Sequence, residues 1–513
     1  MAQYLAGVDV GTTGVRCILF DLHGTMVADD YREYGATYPK PGWVEQDSAD
    51  MVTQTMAACK AAIAKSGVPP QEIGAIGFST QRSVTVPVDK AGTPVCPMLS
   101  WQDARTTAEV TEMTQRIDAQ EYHNTSGVPM GTPYIITKVL WLRKHEPKLF
   151  DQTYKFIQVQ DLVLKAFGAN TYYTDIPDMA FYGVWDIRNT QWSRTLCHLF
   201  DVDPALFGTP QPAGTQVGTI TPAIAEQTGF AVGTPVCVGA GDQNCGMVGM
   251  GSIRPGMATV TLGTAGLAIV SLERPIDGIG GLMITNHAAP GLWEAEGVAL
   301  AAASSYRWFR DTIGTLEKEQ EAQHGRTAYE ALNDLAAAAP VGSQGLLFLP
   351  YLATAGTPRW NASARAAFLG LSFAHGRGDM VRAVLEGVVL EVRDIMESWQ
   401  QAGIAVDRIR LGGGATKSAL WNHIQADVYG RPVQTLKVGE STALGAAILG
   451  GVGAGVFHSI AEGVDHMVAV TGEVEPNVAN HRVYEDLYQA YVKAYEGLAS
   501  SGAFDKLAHI QAG

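Results

Sequence analysis

A chain of 513 residues, 46% hydrophobic and 17% charged, is long enough for two to four domains at roughly 100–200 residues each and too apolar to be disordered. Its formal net charge of −15 argues against a nucleic-acid or acidic-membrane partner, because phosphate surfaces want a basic face, but leaves room for a small anion held by local donors. The six cysteines (Cys17, Cys59, Cys96, Cys197, Cys237, Cys245) are spread through the chain and form no C-x-x-C pair, which reads as a reduced, cytoplasmic protein with no structural zinc or disulfide framework.

In chain order, "YLAGVDV" (4–10) and "VRCILFD" (15–21) predict two strands around the glycine turn "GTTG". "SADMVTQTMAACKAAIAKSG" (48–67) has apolar residues at helical spacing and stops at Gly67. "QEIGAIGFST" (71–80) predicts a strand, and "KVLWLRKHEPKLF" (138–150) a helix interrupted near Pro147. "ATVTLGTAGLAIVSL" (258–272) repeats the strand, glycine turn, strand pattern, with Gly11, Thr12 and Gly14 matching Gly263, Thr264 and Gly266. Two similar hairpins 252 residues apart are either chance or the mark of two related lobes. Later come a long amphipathic helix (379–403), a strand running into glycines (408–414), a helix (417–430), a helix that ends and restarts (450–468) and an aromatic-striped helix (481–498). The expected architecture is α/β with mixed sheets, divided into lobes 1–248 and 249–513. No run of about 18 apolar residues could span a membrane, and the first residues lack a signal-peptide pattern.

"DVGTTG" offers backbone N–H groups, two hydroxyls and little bulk, as a phosphate-binding turn requires. Asp9 could hold Mg²⁺ through water, and Arg16 could reach phosphate oxygens. A plain hairpin turn is the competing reading. The facing possibility, "GTAG", and the glycine run Gly412–Gly413–Gly414–Ala415 at a strand-to-helix junction add two more anion-tolerant turns. Neither a Walker A loop nor a dinucleotide G-x-G-x-x-G is present. In "VCVGAGDQNCG" (236–246) a buried strand ends on Asp242, which reads either as a helix N-cap or as a general base.

These residues together resemble the FGGY carbohydrate kinases, from about residue 4 to about residue 455. The resemblance is carried by "DVGTTGVR", "PGWVEQD" (41–47), "SWQDART" (100–106), "KVLWLRKH", "AAFLGLSFAHGRGDMVRAVLE" (366–386), "LGGGATKSALWNHIQADVYGRPV" and "ESTALGAAILGG" (440–451). Ile135 departs from the small or proline residue usual ahead of "KVLWLRKH". The family implies a two-lobed actin-like, Hsp70-like (ribonuclease H-like) ATPase fold with duplicated mixed sheets, and transfer of the γ-phosphoryl of ATP to a sugar or polyol hydroxyl. By the resemblance Asp242 is the general base and Asp9 helps hold Mg²⁺. Thr12, Thr13 and Arg16 approach the transferred phosphate, Gly263 and Thr264 form the opposite loop, and Gly413, Gly414, Ala415 and Ser418 lie by the adenosine. Arg307 stands where glycerol kinase has a glutamine, which leaves its role open.

The resemblance places substrate choice in "STQRSVTVPVD" (79–89) and nearby positions. Arg82, Trp101, Tyr134 and Gln243 match glycerol kinase, whereas Ser83 lacks its carboxylate and Leu267 replaces a packing phenylalanine. Gln81, Arg82, Trp101, Tyr134 and Gln243 therefore form the expected substrate set, with room for more than three carbons. D-xylulose is the favoured substrate; glycerol, gluconate and an autoinducer-2-type sugar are alternatives. A non-catalytic ATP- or sugar-sensing relative, or a chaperone-like ATPase, is the rival from another class; a filament or chaperone relative does not need Asp242, Trp101 and Arg82 together. A homodimer is compatible with this reading.

Overall fold

The computed structural model describes residues 2–512. Its first sheet grows from the glycine hairpin. Strands β1 (Tyr4–Val10) and β2 (Gly14–Asp21) pair antiparallel, and Gly11 N–H closes the turn on the Gly14 carbonyl at 2.9 Å. With β3 (Met26–Glu33), β4 (Ile73–Thr80), β5 (Gln216–Thr219) and β6 (Pro235–Gly241) they make a six-stranded sheet in the order β5-β6-β4-β1-β2-β3. Strands β1, β4 and β6 run parallel at its centre and are almost wholly buried, as central parallel strands must be.

The second sheet grows from the second hairpin, β7 (Met257–Leu262) and β8 (Gly266–Leu272), closed by Gly263 N–H on Ala265 O at 3.0 Å. It adds β9 (Met283–Asn286), β10 (Trp293–Ala299), β11 (Arg408–Gly412), β12 (Val433–Leu436) and β13 (Val470–Val474), in the order β9-β10-β8-β7-β11-β12-β13. Counting outward from β1 or β7, both sheets run antiparallel, antiparallel on one side and parallel, parallel, antiparallel on the other. The second sheet differs by its extra edge strand β9. The likeness of the two hairpins is thus one part of a duplicated topology.

The helices follow the sequence signals with shifts at their ends. Helix α1 (Ser48–Ser66) is capped by Asp47, whose carboxylate accepts from Ala49 and Asp50 N–H, and Gly67 ends it in the left-handed region. Helix α2 (Ile135–His145) stops before Pro147, which opens a separate short helix (Pro147–Gln152). Helix α3 (Asp242–Gly249) follows β6 directly. In the second half lie α4 (Ala303–Thr312), the central α5 (Arg377–Gln401), α6 (Ala419–Tyr429), α7 (Ser441–Gly453), α8 (Ile460–Met467) and α9 (Val478–Ser500). The stretch expected to be helical from 417 opens with a 3₁₀ turn, Gly414–Lys417, and Ser418 caps α6 by accepting from Trp421 N–H. The aromatic stripe of α9 is core: Tyr484, Leu487, Tyr488 and Tyr491 are buried, and the Tyr484 and Tyr488 hydroxyls reach Glu386 and Asp394 of α5 at 2.7 and 2.8 Å.

Helix α7 is coded late in the chain but packs on the first sheet. Ala443, Leu444, Ala446, Ala447, Ile448 and Leu449 share a core with Leu5, Ile18, Phe20, Cys237 and Cys245. The approach is close because glycines meet it. A methyl on Gly7 or Gly77 would collide with the carbonyl oxygen of Ala443 or Ala446, and one on Gly445 with that of Cys245. Cys245 therefore sits in a small-residue seam, its thiol donating to Ala240 O at 3.3 Å.

Candidate active site

Asp242 stands at the carboxyl end of β6 as the first residue of α3, with Gly241 as the cap. The helix N-terminus favours its negative charge. Its Oδ1 accepts from Gln243 N–H at 2.8 Å and lies 3.1 Å from Arg82 Nε. About a third of the carboxylate side chain stays exposed (32%), so it borders open space rather than the core. Burial pushes its pKa up, Arg82 pulls it down, Glu296 pushes it up again, and hydrogen bonds from Gln243 lower it; the net direction is upward. A carboxylate with a raised pKa is a stronger base than an ordinary one, which favours proton abstraction.

Arg82 is the hub of this cluster. Its two Nη atoms each donate to Glu296 at 2.8 Å, a bidentate pair that joins the end of β4 to β10 in the other half of the chain. Its guanidinium also lies 4.6 Å above the Phe181 ring, and Phe181 in turn packs 6.3 Å from Tyr134. One N–H on each Nη remains for another acceptor. Asp178, fully buried, presses against this group with both carboxylate oxygens lacking a hydrogen-bond partner among the described residues. Burial, then Asp175, hold its pKa well above the usual range despite the pull of Arg82.

The other expected substrate residues divide. Trp101 is 41% exposed, with its indole N–H on Thr12 Oγ1 at 3.1 Å, so its flat face is available beside the first glycine loop. Tyr134 is buried as the residue preceding α2. Gln243 is half-buried next to Asp242. Gln81 is turned inward: its amide donates to Gln46 Oε1 at 3.1 Å, and Gln46 donates to Thr12 O at 2.8 Å. Ser83 Oγ donates to Pro133 O at 3.0 Å, and Leu267 is half-buried on β8.

The first glycine loop has its carbonyls drawn into the protein. Gly11 O accepts from the Tyr34 hydroxyl, Thr12 O from Gln46 and Thr13 O from Tyr34 N–H. That removes carbonyl dipoles that would repel an anion. Thr13 is exposed at the tip. Arg16 is engaged by two carboxylates, Asp29 at 2.8 Å and Glu440 at 2.6 Å, so the expected phosphate contact competes with an existing link to the start of α7. Asp9 lies behind the loop, accepting from Ser79 Oγ at 2.8 Å and Thr442 Oγ1 at 3.2 Å. Burial above all, with the nearby charges of Asp242 and Glu440, raises its pKa to about 6.

The second loop is tied to α4: Gly263 O accepts from Ala303 N–H at 2.8 Å, and Thr264 O from Ser304 Oγ at 2.7 Å. Ala303 is also at the edge of a cavity of about 550 Å³ lined by Tyr306, Asn333, Gly414, Ala415, Ser418 and Trp421. Gly413, at φ 79°, makes the turn into it, and nothing stands within 4 Å of where a Gly414 side chain would project. The cavity therefore connects the glycine run to the second hairpin, with a size and apolar walls fit for a flat base. Arg307 is exposed on α4, whereas its neighbour Tyr306 lines the cavity.

Glu296, Asp178 and Glu440 went unread in the sequence. A signal for Glu296 exists: in "WEAEGVA" two acids, Glu294 and Glu296, alternate with small residues on one buried face of a strand. An apolar strand tolerates buried acids only when they are paired or protonated.

Residues 4–249 match the model of the FGGY family of carbohydrate kinases, N-terminal domain, and residues 258–454 that of its C-terminal domain. A xylulose kinase from Staphylococcus epidermidis is 29% identical over 96% of this chain and 97% of its own length. A glycerol kinase from Citrifermentans bemidjiense is 31% identical over 96% of this chain and 98% of its own. The crystal structure of xylulose kinase from Rhodospirillum rubrum superposes with a TM-score of 0.87 at 28% identity, covering 97% of this chain and 99% of that one. No helix among the described residues is long and apolar enough to cross a membrane. The duplicated sheets are those of the actin-like and Hsp70-like fold, and the chain belongs to the FGGY family of carbohydrate kinases, phosphotransferases that take ATP and a small sugar as substrates.

Proposed function

We propose that this kinase phosphorylates a ketopentose, D-xylulose before others, to give D-xylulose 5-phosphate. The observation that carries the catalytic part is Asp242: a carboxylate of raised pKa, one-third exposed, oriented by Arg82 and by its own helix N-terminus. In this reading Asp242 takes the proton of the attacking sugar hydroxyl while that oxygen bonds to the γ-phosphorus of ATP and ADP leaves. A positioned base of this kind is worth about 10²–10⁴ in rate. Arg82, Tyr134, Trp101 and Gln243 orient the sugar, and Gln81 supports the loop through Gln46. Thr12, Thr13, Gly263 and Thr264 embrace the phosphates. Gly413, Gly414, Ala415 and Ser418 frame the adenosine, with Arg16 released from Glu440 to meet the phosphate.

Asp9 offers the hard oxygen ligand that Mg²⁺ prefers, and Asp242 and Glu440 are near enough to raise its pKa. One or two carboxylates, with substrate phosphates and water completing the shell, are a usual way for Mg²⁺ to bind, so this donor set fits. When bound, the ion neutralises charge on the β- and γ-phosphates. The segments 1–248 and 249–513 act as the two lobes that close over the substrates, the cytoplasm is the compartment that six free cysteines suit, and a homodimer is compatible with this reading.

Xylulose kinases among the relatives favour D-xylulose. Glycerol is a second reading, favoured by the Arg82, Trp101 and Tyr134 set and by the 31% identical glycerol kinase. ADP release measured across a panel of polyols and ketoses decides. Turnover stimulated most by D-xylulose supports the proposal, stimulation by glycerol alone selects the second reading, and no stimulation by any member overturns both.

A further inference from the structure

Lys138 is fully buried in the first turn of α2, although lysine is rarely buried without a carboxylate partner. Among the described residues no carboxylate forms an ion pair with it. Asp103, whose charge acts on it, spends its carboxylate on Arg105 and on Val44 N–H at 2.7 Å. The Lys138 Nζ instead donates to two main-chain carbonyls, Asp103 O at 3.2 Å and Thr132 O. Burial pushes this ammonium down to about 7, a cost the fold accepts for those two bonds.

The two carbonyls belong to different loops. Asp103 is two residues after Trp101, and Thr132 two residues before Tyr134. Side-chain hydroxyls reinforce the same junction: Thr106 Oγ1 bonds Thr137 Oγ1 at 2.9 Å, and Thr137 Oγ1 donates to Thr132 O at 3.1 Å. Ser83 Oγ on Pro133 O brings in the segment that carries Arg82. One buried amine thus sits where three segments meet, each bearing a residue assigned to the sugar.

We propose that Lys138 is a positioning residue that locks the Trp101 loop against the Tyr134 loop and so sets the width of the sugar pocket and its discrimination between sugars. It does not touch the substrate. The proposal rests on the assignment of Trp101 and Tyr134 to the sugar site. A group held by supporting hydrogen bonds keeps its geometry; one left unsupported loosens by enough to lose selectivity.

The test is steady-state kinetics of the full chain carrying Lys138→Met or Lys138→Gln, with D-xylulose, glycerol and ATP varied in turn. For Lys138→Met the KM of the preferred sugar should rise roughly tenfold or more, the scale of a lost charge-assisted hydrogen bond. The KM for ATP should stay unchanged and the preference between the two sugars should shrink. Lys138→Gln, which keeps amide donors, should fall between wild type and Met, and it carries the test if Met does not fold. An unchanged sugar KM and preference, or a parallel rise in the KM for ATP, overturns the proposal. Trp101→Ala separates the two levels. If it raises the sugar KM and the Lys138 variants do not, only the lock is wrong; if it does not, the sugar-site assignment fails and the lock fails with it.

Discussion

Arg82 and Glu296, 214 residues apart, face each other through two parallel 2.8 Å hydrogen bonds, and the same guanidinium turns its Nε to Asp242. One cation therefore bridges the two halves of the chain and borders the acid assigned as base. The pair is well buried, with side-chain exposures of 11% and 2%.

Glu296→Ala should destabilise the chain by about 3–5 kcal/mol, because it leaves a buried guanidinium without its bidentate partner. Chemical denaturation reads this as a lower midpoint at unchanged slope. A loss under about 1 kcal/mol, the scale of an exposed ion pair, would show that solvent replaces Glu296 freely.

Glu294, fully buried beside that pair, gives a pH prediction. Burial, then the charge of Glu296, raises its pKa from 4.5 to about 8. Between those values the folded chain holds a proton that the unfolded chain has lost. The contribution of this group to stability is therefore full below about pH 4.5 and declines as pH rises toward 8. Glu294→Gln removes that decline. Relative to wild type the variant should gain stability between pH 5 and pH 8.5, in paired denaturation curves. A difference between the two proteins that stays flat across this window contradicts the assignment.

Gly77→Ala tests the seam between α7 and the first sheet. The added methyl has no space against Ala446 O, so α7 must shift or the strand must bend. Overpacking of this kind costs about 1–3 kcal/mol. Because α7 begins beside Thr442, which donates to Asp9, the same variant should also weaken ATP binding. A thermal midpoint and ATP affinity equal to wild type would falsify the seam as a rigid contact.

Much of this was legible in local sequence. The turns "GTTG" and "GTAG" announce their hairpins because a glycine-bounded break interrupts two β-branched runs, and Gly67 ends α1 by the left-handed conformation it adopts. The acid in "VGAGDQ" announces a strand giving way to a helix. What stayed hidden depends on distant partners. Arg82 reads as a free donor in its own segment, and nothing nearby says that Glu296 occupies two of its N–H groups. Gln81 reads as a sugar ligand, yet its amide goes to Gln46. Arg16 meets Glu440 only because α7 folds back across more than 400 residues of chain, a pairing that periodicity cannot reveal. Asp178 carries no signal in "IPDMAF" beyond being an acid among apolar neighbours.

The most direct test of the catalytic assignment is ADP release by Asp242→Asn with saturating sugar, beside its ATP affinity. Asparagine keeps the shape but cannot accept the hydroxyl proton. Sugar-dependent turnover should fall by about 10²–10⁴ while ATP binding stays near wild type. Turnover close to wild type would contradict the assignment of Asp242 as the base.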